Sequence, residues 1–164
     1  MNDRYDFLIH LRAIRDYQDK ILSSEDLDAI LEAGRWTGSS KNNQDWSFVA
    51  VTDSDRLQGL ATFGSYTQPI KDSAATVVLV QEKGGNDFDI GRAAQNMMLA
   101  AKAVGVASCP ITLHREEGAS DFVGASRGAK VRYAIALVYP ADGAEPRRFG
   151  GRKKPAKVIK RDQV

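Results

Sequence analysis

The residues best suited to chemistry in this chain lie in polar stretches beside helix ends. Arg12 and Arg15 close the first helical pattern, Ser39, Ser40, Asn42 and Gln44 occupy a loop before Trp46, and Arg152, Lys153 and Lys154 form a basic run near the C-terminus. Guanidinium and ammonium groups hold phosphate through charge-assisted hydrogen bonds, and amide side chains match the donor and acceptor edge of a heteroaromatic ring. Each cluster also has an ordinary explanation. A solvated helix end accounts for the arginines, and turn chemistry accounts for Ser39, Ser40 and Asn42. Together they describe a site for a phosphorylated planar ligand.

Other chemistries lack their residues. There is no Gly-x4-Gly-Lys-Ser/Thr phosphate loop, and no Gly-x-Gly-x-x-Gly follows a strand. His10 and His114 are the only histidines and have no partners at ligand spacing, which argues against a metal site or a histidine-based triad. His10 sits within a helix, and His114 falls in a turn after a strand, where a role stays open. The single cysteine, Cys109, has apolar neighbours and reads as a buried, inert thiol rather than a nucleophile.

The elements that must position these groups follow from periodicity. Leu8, Leu11 and Ile14 predict a first helix over residues 5–14. Ser23 and Ser24 before Glu25 and Asp26 start a second, which runs to about Trp36. Residues 37–45 are a polar loop. Strands are expected over Trp46–Thr52, Ala75–Val80, Val106–Thr112 (interrupted by Pro110) and Val131–Tyr139, with a short helix around Leu57 and Leu60. Ile90, Ala93, Ala94, Met97, Met98, Ala101 and Val104 give the strongest helix, over residues 89–104, stopped by Gly105. Its methionines read first as core packing. Residues 115–129 are only weakly helical. The fold class is α+β, a central mixed, mainly antiparallel sheet flanked by helices.

At 164 residues the chain is expected to form one domain over its whole length, with a basic tail from about residue 147. The net charge of +2 is uneven: residues 147–164 carry eight cations and one acid, +7, which leaves −5 for the rest. A near-neutral total argues against a phosphate-backbone binder, and no aromatic residue follows Phe149 to stack on bases. One cysteine excludes an internal disulfide framework and suits a reducing cytoplasm. The apolar runs are strand-sized, so no membrane span is expected, and the first residues lack the apolar core of a signal peptide.

The order of motifs resembles the FMN-dependent nitroreductase family over nearly the whole chain. Leu11-Arg12-Ala13-Ile14-Arg15-Asp16-Tyr17 is similar to that family's Arg-Arg-Ser-x-Arg-x-Phe/Tyr motif, and residues 21–34 to the helix that follows it. Residues 34–46 resemble its Ala-Pro-Ser-x-x-Asn-x-Gln-Pro-Trp signature, and Asp89 to Ile111 its long central helix and next strand. Arg152 to Ile159 is similar to its closing basic segment. This chain departs from the pattern at Leu11 (usually Arg), Ala13 (usually Ser), and Gly38 and Asp45, which replace two prolines. It also has no room between Gly59 and Ala74 for the inserted helices of larger members.

The resemblance implies a homodimer with two FMN sites at the subunit interface. It sets Arg12, Ala13 and Arg15 near the phosphate, with Arg152 and Lys153 as further phosphate cations. Ser39, Ser40, Asn42 and Gln44 come from the other subunit. Gln68 falls near the pyrimidine edge, and Pro110, Ile111 and Thr112 lie against the flavin ring, where a backbone N–H reaches N5. The implied activity is a ping-pong oxidoreductase: NADH or NADPH reduces FMN, which reduces a small-molecule acceptor such as a nitroaromatic or quinone. The flavin carries the chemistry, so no catalytic side chain is required. A flavin-dependent dehalogenase, dehydrogenase or flavin-degrading enzyme on the same fold, a non-catalytic flavin-binding protein, and a nucleic-acid-binding tail are the alternatives.

Overall fold

The structure, a computed structural model, describes residues 2–146 and 150–162. Helix α1 spans Asp3–Ile9, capped by Asn2, whose side chain accepts from Arg4 N–H. It stops five residues short of the expected end. No residue of α1 is buried, so nothing tertiary extends it. Arg12 Nη1 donates to the carbonyls of Ile9 and Leu11 and closes the helix. The following chain is claimed instead by residues 139–141. Tyr17 forms a bridge with Pro140, Gln18 N–H donates to Tyr139 O, and Ala141 N–H to Asp16 O.

Helix α2 (Ser24–Arg35) begins as expected, with Ser23 accepting from Asp26 N–H. A 3-10 turn at Ser40–Asn42 leads into strand β1 (Trp46–Val51). Helices α3 (Ser54–Ala61) and α4 (Gln68–Lys71) precede strand β2 (Ala75–Gln81), which is buried along its whole length. Helix α5 (Asp87–Ala103) ends in a Schellman motif. Gly105 adopts φ +75°, its N–H bonds Lys102 O, and Val106 N–H bonds Ala101 O. Strand β3 (Ala107–Thr112), helix α6 (Glu116–Val123), strand β4 (Lys130–Val138) and helix α7 (Pro155–Val158) complete the described elements.

The sheet order is β1-β2-β4-β3, and every described pairing is antiparallel. Helices cover both faces, and alternation along the strands sorts the core accordingly. Val78, Val80, Ala134 and Ala136 face α3, α4 and α6, together with Cys109 and Ile111 from β3. Ala75, Val77, Leu79, Ile135 and Leu137 face α2 and α5. Those two helices pack so closely that a Cβ on Gly34 would lie 2.8–3.0 Å from the Met97 side chain. Met97 is thus core, as expected. No helix among the described residues is long and apolar enough to cross a membrane.

Candidate active site

Among the described residues, strand β3 lies at the edge of the sheet, paired only with β4. Leu113 N–H donates to Arg132 O at 2.8 Å, which fixes the alternation of the ladder. Every second residue back along β3 therefore points its N–H toward β4, whereas Ser108, Pro110 and Thr112 face the free edge. Proline lacks an N–H, and here the ladder loses nothing by it. The expected interruption at Pro110 is consequently no break. Thr112 keeps a backbone N–H directed away from the sheet.

Beside this strand lies a cleft of about 640 Å³, within the size range of cofactor sites. It gathers five of the expected residues, Arg15, Gln68, Pro110, Ile111 and Thr112. Gln68 Nε2 donates to Asp72 Oδ1 at 2.8 Å, which leaves its carbonyl oxygen and second N–H for a ligand. Pro110 and Ile111 contribute apolar surface, and Arg15 carries a guanidinium into the same space. The cleft also contains Tyr17, Tyr66, Asp72 and His114, which sequence reasoning did not place there.

Tyr17 is the unusual member. Its hydroxyl is the one buried side-chain polar atom without a hydrogen-bond partner among the described residues. Burial pushes its pKa well above the usual phenol value, and Cys109 adds to the effect while Arg15 opposes it. The group therefore stays protonated and offers a donor. Cys109, 2% exposed, is likewise pushed up by burial despite Arg15, in keeping with an inert thiol beside the site.

The remaining expected residues lie elsewhere in the chain. Arg12 is engaged with the end of α1, and Ala13 packs on the core face shared with Cys109 and Ile111. Arg152 and Lys153 are exposed and do not line the cleft. Arg147 and Arg148 lie outside the described residues. Ser39, Ser40, Asn42 and Gln44 form a separate, tightly specified loop, in which Ser39 Oγ accepts from Gln44 N–H and Gln44 Nε2 donates to Asn42 O.

That loop holds strained backbone: Lys41, Asn42 and Gln44 have φ of +52°, +57° and +55°. One side of α5 secures it. Asp89 Oδ2 accepts from Ser40 N–H at 3.0 Å, Arg92 Nη1 donates to Gly38 O at 2.7 Å, and Asn96 Nδ2 donates to Thr37 Oγ1 at 2.8 Å. The Ser40 amide, then Asn86, hold the Asp89 carboxyl below its ordinary pKa. The signal in the sequence was Asp-x-x-Arg-x-x-x-Asn, which reads as a solvated helix face.

The donor set suits a flavin. A planar ring with polar atoms along one edge would meet the Thr112 N–H, the Tyr17 hydroxyl and the Gln68 amide, and its faces would meet Pro110 and Ile111.

The family model for the nitroreductase family matches residues 11–88 and 62–139. The chain belongs to the nitroreductase family. A relative from Archaeoglobus fulgidus, whose name pairs NADH dehydrogenase with NAD(P)H nitroreductase, is 28% identical over 142 residues, covering 80% of this chain and 82% of its own. The FMN reductase (NADPH) of Bacillus subtilis is 23% identical over 141 residues, covering 71% of this nitroreductase-family chain but only 57% of its own. The NADPH:FMN oxidoreductase from Vibrio harveyi, solved in complex with NAD+, superposes with a TM-score of 0.88 at 22% identity, covering 99% of this chain and 78% of that one. At that identity the superposition speaks for the nitroreductase fold alone.

Proposed function

We propose that this chain is an FMN-dependent oxidoreductase that uses NAD(P)H to reduce an acceptor such as a nitroaromatic or quinone by a ping-pong mechanism. The observation that carries the reading is the convergence of Arg15, Tyr17, Gln68 and the outward N–H of Thr112 on one cleft in a member of the nitroreductase family. The names of the relatives, an NADPH-dependent FMN reductase among them, support FMN and a nicotinamide reductant.

FMN when bound supplies the redox chemistry, accepting a hydride equivalent from NAD(P)H and delivering reducing equivalents to the acceptor. The chain's own part is binding and electrostatics. Thr112 N–H holds the ring edge, Pro110 and Ile111 exclude water from its face, and the Arg15 charge favours an anionic ligand. The 39–44 loop and the Arg152-Lys153 pair lie away from the cleft of their own protomer. We assign them to the cleft of a second copy, in a homodimer. With Arg12 diverted to α1 and Ala13 packed inward, the phosphate is held by Arg15 and the basic C-terminal segment.

The test is spectroscopic. The purified protein should be yellow, or take up added FMN, and should bleach anaerobically with NADH or NADPH. Yellow protein that does not bleach would favour a binding role. Colourless protein that takes up no FMN would remove both readings.

A further inference from the structure

His114 stood apart in the sequence without a role, and the fold fixes it from three sides. Leu113 N–H bonds Arg132 O at 2.8 Å and Arg115 N–H bonds Phe63 O at 3.0 Å, which secures the backbone before and after it. The ring is fixed as well, because its Nδ1 lies 3.2 Å from the backbone nitrogen of Ser65. A backbone N–H can only donate, so Nδ1 accepts and the proton of the neutral imidazole sits on Nε2. Gly64 makes the approach possible: a Cβ there would lie 2.8 Å from the Thr112 carbonyl oxygen. The imidazole lines the cleft beside Thr112 and Tyr66, and Tyr66 is 86% exposed at the same rim.

We propose that the His114 Nε2–H donates a hydrogen bond to an oxygen of the planar electron acceptor, a nitro or quinone oxygen, and so orients it in the cleft. The acceptor class rests on the oxidoreductase reading. With Nδ1 held by Ser65, the neutral ring polarises that oxygen without giving up a proton, as a neutral imidazole electrophile does. Tyr66 supplies apolar surface for the aromatic body beside it. His114 is thus a specificity-determining residue for oxygen-bearing acceptors.

Two substitutions separate this role from support of the loop. His114→Gln keeps an N–H near the Nε2 position, whereas His114→Asn keeps an acceptor near Nδ1 for Ser65 and loses the outer donor. FMN-loaded protein without reductant is titrated calorimetrically with nitrobenzene, and with toluene as the oxygen-free control. Wild type and His114→Gln should bind nitrobenzene within about twofold of each other, and His114→Asn about five- to tenfold more weakly, with toluene unaffected. Wild-type binding of nitrobenzene no tighter than toluene overturns the proposal. So does nitrobenzene affinity preserved in His114→Asn, or lost in His114→Gln alone. Failure of the oxidoreductase reading is a different result, the absence of NAD(P)H bleaching in wild type.

Discussion

Two side chains carry most of what the structure adds at the residue scale. Tyr17 has an orphaned hydroxyl in the cleft, and a buried donor left unpaired opposes folding. Tyr17→Phe is therefore expected to leave the FMN-free protein unchanged or up to about 1 kcal/mol more stable by thermal denaturation. The same variant should bind FMN several-fold more weakly, and a loss of stability without loss of affinity would count against the ligand role. Asp89 is the second. Its depressed pKa means that the folded state favours the carboxylate, so its support of the loop is complete above the ordinary value of 3.8 and fades as the pH falls through the lowered one. The protection factor of the Ser40 amide against hydrogen exchange should fall in that acid range. Asp89→Asn should lower it at neutral pH as well, and an unchanged factor would show that Arg92 and Asn96 hold the loop without the carboxylate.

Among the elements, α2 and α5 pack with no room for a side chain at Gly34. Gly34→Ala is expected to destabilise the protein by about 1–3 kcal/mol, because the new methyl group meets the Met97 side chain near its root as well as its tip. Met97→Ala should cost less in the Gly34→Ala background than in wild type in chemical denaturation, since the obstructing Cγ, Sδ and Cε atoms are removed. The elements also show what the sequence made legible. Strand positions, the Ser23 cap and the Gly105 stop were readable because β-branched and apolar runs, cap chemistry and left-handed glycine are local signals. The end of α1 was not: Leu8, Leu11 and Ile14 have helical spacing, yet pairing of residues 16–18 with 139–141 prevails. The hold of α5 on residues 37–40 was hidden for the same reason, because its polar side chains look like a solvent face until the distant loop is in place. Arg15, Gln68 and Thr112 were reached through family motifs, while Tyr66, Asp72 and His114 enter the cleft by tertiary contact.

For the whole molecule, the residues proposed to hold the flavin do not all meet within one copy of the chain. Among the described residues the cleft holds one arginine, while a strained loop and the basic C-terminal pair lie away from it. Large apolar side chains are also left on the surface, with Trp36 73% and Phe88 74% exposed. The chain is expected to sediment at twice its 17.9 kDa, with FMN titrating at one per protomer. A monomer that nevertheless retains FMN would show that the 39–44 loop is not needed for binding.

The free edge of β3 has a second consequence. An unpaired strand edge invites the edge of another molecule, and added strands are a common route to aggregation. Here the outward positions are Ser108, Pro110 and Thr112, so the middle of the edge has no N–H to offer. The Gly64 turn crowds the Thr112 carbonyl at one end. The edge thus exposes a donor at Thr112 while denying a full-length template to a foreign strand. Pro110 is as much a guard against self-assembly as a wall of the cleft.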